Sequence, residues 1–279
     1  MTALPRHVTI AGLGLMGGSL ARALARLDAA PDVHVVDRDA STLSAAAAAG
    51  IARSIHESLP DTPASDLLVL AMPVSSIVAT LRGGGAALAR HRVITDVGSV
   101  KLAPLQAAVE GEVADRYAGS HPLCGDHRGG FHASRADLYA GCTVYVTSDG
   151  AAGACALVRA VWHAIGAHVV SLAAAAHDAL VAHTSHLPQI SASVLAATLA
   201  DRGVAVHDLG PGGRDTTRIA ASDAQLWTDI LVHNRTALTD PLAVLEANVH
   251  ALRHALRTGD ADAVHALLSR ASTWRSRPQ

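Results

Sequence analysis

A β-branched run that ends in a glycine turn and reopens as an apolar helix constrains this chain more than any other feature. Val8-Thr9-Ile10-Ala11 leads into Gly12-Leu13-Gly14-Leu15-Met16-Gly17, and Leu20, Ala23, Leu24 and Leu27 follow at helical spacing. Gly12, Gly14 and Gly17 fit the G-x-G-x-x-G pattern. The first serves a tight turn, the second lets backbone approach a pyrophosphate, and the third lets helix and strand pack closely. A helix start presents unpaired N–H groups and partial positive charge, so the backbone of Leu13, Leu15 and Met16 is expected to share in phosphate binding. A second strand over 33–37 ends at Asp37. A carboxylate there accepts from the ribose hydroxyls and repels a 2′-phosphate, which points to NAD. Arg38 beside it is expected to stack on adenine. A glycine turn without ligand is the bland alternative; the flanking strand and helix and the acidic partner argue against it.

Strand and helix signals alternate through 8–95. A helix over 41–49 stops at Gly50, and Ile51 is strand-like before a loop over 54–63. Residues 66–74 read as a buried parallel strand ending at Met72-Pro73, and 75–88 as a helix broken at Gly83-Gly84-Gly85. A strand over 92–97 runs into Gly98-Ser99-Val100-Lys101. Ligands bind at the carboxyl ends of such strands, where Gly12, Asp37, Met72, Pro73 and Ser99 fall. Another strand end covers 117–125, followed by a polar loop over 126–137. A strand over 142–147, a helix over 151–165 and a strand over 167–172 are expected to close the sheet. After that only helices are expected: one over 173–200 kinked by Pro188, a turn over 215–220, a helix capped by Ser222-Asp223, and two more over 242–256 and 260–274. The expected architecture is α/β: a Rossmann-type parallel-sheet dinucleotide domain over 1–172, then an all-helical substrate and dimerisation domain over 173–279.

Half of the 279 residues are apolar, with alanine dominant, so burial must come from close helix packing. A formal charge of −2 gives no case for nucleic acid or an anionic membrane. Cys124, Cys142 and Cys155 lack C-x-x-C spacing, no apolar run is of membrane-spanning length, and the first strand begins at once. These features lead to the expectation of a soluble cytoplasmic protein without a signal peptide.

Four distant segments could carry chemistry. In Asp96-Val97-Gly98-Ser99-Val100-Lys101, a serine at the sheet's carboxyl edge can bond a substrate hydroxyl or the nicotinamide amide; an ordinary helix cap is the alternative. In Gly119-Ser120-His121-Pro122-Leu123-Cys124-Gly125, a histidine between strand and glycine-rich loop can take a proton at neutral pH, or simply bond a carbonyl. In His183-Thr184-Ser185-His186-Leu187-Pro188, the spacing puts both histidines on one helix face; no carboxylate or cysteine completes a metal set, so no metal is expected. In Arg214-Asp215-Thr216-Thr217-Arg218, an arginine suits a carboxylate, and a surface ion pair with Asp215 is the alternative.

Together these motifs resemble the prephenate and arogenate dehydrogenases of tyrosine biosynthesis. Gly12-x-Gly14-x-x-Gly17, Asp96 to Lys101, His121-Pro122-Leu123-x-Gly125, Ser185-His186-Leu187-Pro188 and Asp215-Thr216-Thr217-Arg218-Ile219-Ala220 occur in the family's order. The resemblance implies a Rossmann domain joined to a helical dimerisation domain, a homodimer, and oxidative decarboxylation of a cyclohexadienyl acid with NAD. It implies that His121 accepts the C4 hydroxyl proton and that Ser99 orients His121 and the nicotinamide. It further implies that Arg218, beside Thr217, binds a substrate carboxylate and that His186 and His183 line the same pocket, in a cleft between the domains. With the first strand starting at residue 8 and the helices running to the last residues of the sequence, no fused mutase domain before residue 8 and no regulatory domain after residue 279 is expected. One departure bears on the substrate. Some members carry a glutamate two residues after the position of Gly125, where this chain has His127. Histidine suits an extra carboxylate better than an ammonium, which favours prephenate over arogenate or an amino-deoxy relative. A β-hydroxyacid or imine-type dehydrogenase would be expected to place a lysine or aspartate in the first long helix. A nucleotide sensor without turnover could dispense with His121 and Arg218.

Overall fold

The computed structural model describes residues 2–125 and 128–277. Strand β1 (His7–Ala11) enters the glycine turn and α1 (Leu15–Leu24) leaves it. Then come β2 (Asp32–Val36), α2 (Ala40–Ala48), β3 (Ser54–His56), β4 (Ser65–Leu70), α3 (Val74–Gly83), α4 (Gly85–Ala89) and β5 (His91–Asp96). The five strands form one parallel sheet in the order β3-β2-β1-β4-β5, with Ile10 beside both Val35 and Val69. The strand order reverses between β1 and β4, so the glycine turn and Met72-Pro73 flank the crevice where such sheets take ligands. Val8, Ile10, Val35 and Val69 pack on α1 and α2 on one face, while Leu68, Leu70, Ile77 and Leu81 build the other. The third strand is Ser54–His56 and not Ile51, because Val35 pairs with Ile55; Ile51 is instead buried in the core.

After α5 (Leu102–Glu110) the chain makes a further backbone bridge to the parallel sheet, where Tyr117 pairs with Ile94 and Ala118 N–H donates to the Ile94 carbonyl at 3.0 Å. It then founds a second sheet from β6 (Ser120–Pro122), β7 (Thr143–Thr147) and β8 (His168–Leu172), with α6 (Ala152–Ala164) between the last two. Strand β6 runs antiparallel to β7, and β7 parallel to β8. The strand over 167–172 therefore does not close the first sheet, as expected, but edges a separate mixed one. Strand β6 is itself an edge. The Leu123 N–H faces the Thr143 carbonyl, so the missing N–H of Pro122 points outward and costs no ladder bond.

Beyond Leu172 every element is helical: α7 (Ala174–Val181), α8 (Leu187–Asp201), α9 (Pro211–Thr217), α10 (Ala224–His233), α11 (Arg235–Thr258) and α12 (Ala261–Arg275). Between α7 and α8 the turn Ala182–His186 widens to a π-helix. Proline has no N–H to give and would strike the carbonyl four residues back; a wider turn just ahead of Pro188 relieves both, and the helix continues without a break. Asp223 and Asp260 cap α10 and α12 through N–H bonds from Leu226 and Ala263. Helix α11 begins seven residues before the expected 242, with Pro241 buried inside it. Carboxylates also tie helix starts to neighbouring elements. Asp178 of α7 accepts from the first N–H groups of α5, Asp229 of α10 from Ser75 at the start of α3, and Asp149 from Ala174 at the start of α7. Each places negative charge at the positive end of a helix dipole. Among the described residues no helix is long and apolar enough to cross a membrane, and the three cysteines are free thiols.

Candidate active site

The glycine turn has the shape its sequence demands. Gly12 adopts φ +95°, and a Cβ there would lie 2.3 Å from the Ala71 carbonyl oxygen. A Cβ on Gly17 would lie 1.9 Å from the Gly12 carbonyl oxygen. Those two glycines are required by the protein's own packing. Gly14 is different: a Cβ there would meet nothing within 4 Å. It faces a groove of about 610 Å³ lined by Gly12, Gly14, Asp37, Arg38, Met72 and Pro73. Gly14 also stands at the N-terminus of α1, whose first turn carries no acidic residue, so backbone N–H groups and a positive helix end point at an open cradle. Leu13, Leu15, Met16 and Gly17 shape the turn without lining this groove.

Asp37 does more than its sequence position suggests. Its Oδ2 accepts from Leu13 N–H at 2.7 Å and its Oδ1 from Asp39 N–H at 3.0 Å. The carboxylate thus holds the glycine turn, and a carboxylate oxygen with one partner keeps a further acceptor site for a ribose hydroxyl.

Behind the second sheet lies a buried polar network. Lys101, 1% exposed, pairs with Asp96, which is fully buried. The Lys101 ammonium also donates to the Ser120 carbonyl at 2.7 Å, Tyr117 Oη donates to Asp96 Oδ2 at 2.5 Å, and Ser120 Oγ donates to the Asp96 carbonyl at 2.6 Å. Burial pushes the Lys101 pKa down, against the opposing pull of Asp96, and raises that of Tyr117. Two of these bonds end on Ser120, the residue before His121, so the network fixes where β6 presents that histidine.

His121 is half-buried on β6. Its Nδ1 lies 2.8 Å from His177 Nε2, and His177 Nδ1 lies 2.8 Å from Asp178 Oδ1. Burial holds the His121 pKa well below the usual histidine range, reinforced by His177, Lys101 and His186, so the ring is neutral at neutral pH. The chain of contacts runs on: Asn234 Nδ2 donates to the Asp178 carbonyl at 3.0 Å and lies 3.0 Å from His186 Nδ1. His186 is 1% exposed, and burial lowers its pKa to about 4. The structure therefore links His121 and His186 through His177, Asp178 and Asn234, three residues that the motif reading missed. Their one sequence signal is a histidine–aspartate pair that interrupts the alanine run 173–176.

The other candidates fall elsewhere. Ser99 sits half-buried between β5 and α5, and its hydroxyl has no hydrogen-bond partner among the described residues. The π-turn separates the two histidines expected on one face: His186 turns inward, while His183 is exposed and bonds the Ala179 carbonyl at 2.9 Å. Arg218 and Thr217 line a cavity of about 530 Å³ against the far half of α8, which His121 does not line. The alternative, a surface ion pair with Asp215, does not form among the described residues, and Arg218 is exposed. Its turn is tied to α8 where Gln189 Nε2 donates to the Ile219 carbonyl at 2.9 Å, three residues past His186. Thr217 Oγ1 is spent on the Gly213 carbonyl. His127 lies outside the described residues.

A half-exposed neutral histidine backed by a buried carboxylate, in a protein with an open groove at the N-terminus of α1, suits proton abstraction coupled to dinucleotide chemistry. Comparison with known proteins agrees. Residues 20–171 match the nucleotide-binding domain of prephenate dehydrogenase, and residues 173–270 its dimerization domain. The chain is 30% identical to the cyclohexadienyl dehydrogenase of Zymomonas mobilis over 92% of its own length and 90% of that protein's. It is similar to the crystal structure of prephenate dehydrogenase from A. aeolicus in complex with hydroxyphenyl propionate and NAD+, with a TM-score of 0.84 and 27% identity over 99% of this chain and 98% of that one. Synechocystis arogenate dehydrogenase also matches, with a TM-score of 0.79 and 25% identity over 96% and 98% of the two chains. The chain is a dehydrogenase of the prephenate dehydrogenase family, with a nucleotide-binding Rossmann-type domain followed by helices of the family's dimerization domain.

Proposed function

We propose that this protein catalyses the NAD-dependent oxidative decarboxylation of prephenate to 4-hydroxyphenylpyruvate, as a homodimer formed through its helical domain (residues 173–279), with the dinucleotide domain spanning 1–172. The observation that carries this reading is His121, a neutral imidazole whose Nδ1 is engaged by His177. The backbone at Gly12–Gly14 and the start of α1 would hold the pyrophosphate, Asp37 the adenosine ribose, and Met72 and Pro73 the groove wall opposite. Bound NAD+ supplies the acceptor for the hydride that leaves C4 of the ring. His121 takes the C4 hydroxyl proton as that hydride departs, so positive charge does not build on the oxygen. Loss of CO₂ from C1 then sends the bond's electron pair into the ring, which becomes aromatic, and the proton on His121 returns to the phenolate oxygen. Ser99, with an unspent hydroxyl, is suited to bond the C4 oxygen or the nicotinamide amide. Arg218, with no ion pair among the described residues, is suited to a substrate carboxylate.

NADH formation with prephenate and with arogenate tests the reading. Faster turnover of prephenate is expected; turnover of arogenate alone would move the assignment, and turnover of neither would remove it. Arg218→Ala is expected to raise KM for the acid about 10- to 100-fold with a smaller change in kcat, since a hydrogen bond to a charged group contributes roughly 1.5–3 kcal/mol. An unaltered KM would take Arg218 out of the binding site. Asp37→Ser is expected to weaken both dinucleotides, because the bond to Leu13 N–H is lost, but NAD+ more than NADP+, because a carboxylate repels the 2′-phosphate. Equal loss in KM for the two would leave Asp37 only its structural part.

A further inference from the structure

We propose that His177 and Asp178 are positioning residues that fix the tautomer of His121, placing its proton on Nδ1 and leaving the Nε2 lone pair free for the substrate. The inference deepens the reading of His121 as the base and rests on it. Both carboxylate oxygens of Asp178 are committed as acceptors: Oδ1 to Lys101 N–H at 2.8 Å, Oδ2 to Leu102 N–H at 2.9 Å. An ionised carboxylate only accepts, so the His177 Nδ1 that lies 2.8 Å from Oδ1 must carry a hydrogen. In neutral His177 the Nε2 is then a lone pair, and His121 Nδ1, 2.8 Å away, must be the donor. The remaining nitrogen of His121 is a free acceptor, which is the form a proton-abstracting histidine needs.

The surroundings keep this order. His177 is fully buried and Asp178 is 3% exposed. Lys101 faces the pair from the loop before α5, Asp96 from β5, and His186 from the π-turn. Tyr145 of β7 sets its ring edge-on to His177, with centroids 5.5 Å apart, and His177 meets His121 at 5.0 Å. Burial lowers the His177 pKa, which keeps that ring neutral. Free histidine carries no such bias toward Nδ1–H; the network imposes it. When His121 takes a proton, its Nδ1–H still has an acceptor in His177, and His177 still has the Asp178 anion behind it. His121 belongs to the second sheet, whereas His177 and Asp178 open the first helix beyond it. The base is therefore set by a bond across the two parts of the chain, and the docking of α7 is a condition of its competence.

Two measurements on the full chain test this. In wild-type protein with selectively ¹⁵N-labelled histidine, the His121 ring, assigned by its loss in His121→Asn, is expected as the Nδ1–H tautomer at neutral pH; an Nε2–H ring overturns the proposal. In His177→Leu the His121 proton is expected to shift to Nε2 and kcat to fall at least about 10²-fold, toward the roughly 10⁴ lost when a catalytic histidine is held in the wrong tautomer, while KM for NAD+ is unchanged. His177→Gln sets an amide oxygen near the position of Nε2, so it is expected to restore the Nδ1–H tautomer and most of the turnover. Wild-type turnover in His177→Leu overturns the proposal, and so does a His177→Gln enzyme as slow as His177→Leu. If His177→Leu does not fold, the wild-type tautomer and His177→Gln still decide. Unchanged turnover in His121→Asn would instead sink the base assignment itself, an outcome the tautomer measurement does not mimic.

Discussion

Asparagine at position 121 is expected to lower kcat by about 10²–10⁴, the usual contribution of a general acid–base group, with dinucleotide affinity unchanged. His121 lies on β6 and does not line the groove at Gly14, so the two functions separate. The pH profile gives a second check. Burial, with His177, Lys101 and His186 adding to it, holds the His121 pKa well below 6.5. The active, neutral form is therefore complete at neutral pH, and the acid limb of kcat/KM is expected below the ordinary histidine range. An acid limb at or above 6.5, or unchanged turnover in the variant, would remove His121 from the chemistry.

Methionine in place of Lys101 is expected to destabilise the fold by about 3–5 kcal/mol, because removing one partner leaves the other charge buried and uncompensated. Asp96 is fully buried and would keep only the Tyr117 hydroxyl and the Gly98 N–H at 2.7 Å. For a chain of this size that corresponds to a fall in Tm on the order of 10 °C, readable by thermal denaturation. Turnover should fall as well, since the Lys101 ammonium also anchors the Ser120 carbonyl next to His121. A variant as stable as the parent would mean that Asp96 is protonated or hydrated once Lys101 is gone. Gly119, where a Cβ would lie 2.9 Å from the Tyr117 hydroxyl, shows how little room the network leaves.

Local rules carried much of the reading of this chain. The strand–glycine–helix unit, the carboxylate closing β2, the cap at Asp223 and the end of strand signals near residue 172 are all short-range patterns, and backbone sterics and side-chain period fix such patterns within a few residues. The same rules misplaced β3, because an edge strand of three residues carries too little periodicity to separate it from its flanks. They also assigned β8 to the first sheet, since strand signals do not say which neighbour a strand will find.

The amino-acid sequence by itself determined that a tight glycine turn between strand and helix would form at Gly12 to Gly17, and it marked His121 and Arg218 as the imidazole and guanidinium to watch. Only the tertiary structure decided what stands behind them. It put Asp178 at the head of α5, turned His177 onto His121, rotated His183 away from His186 through one widened turn, and spent Asp37 partly on the glycine turn. A backbone pattern repeats locally and is written in neighbouring residues. A hydrogen-bonded chain such as His121–His177–Asp178 joins positions 56 apart, and its geometry exists only once the helices have packed on the sheets.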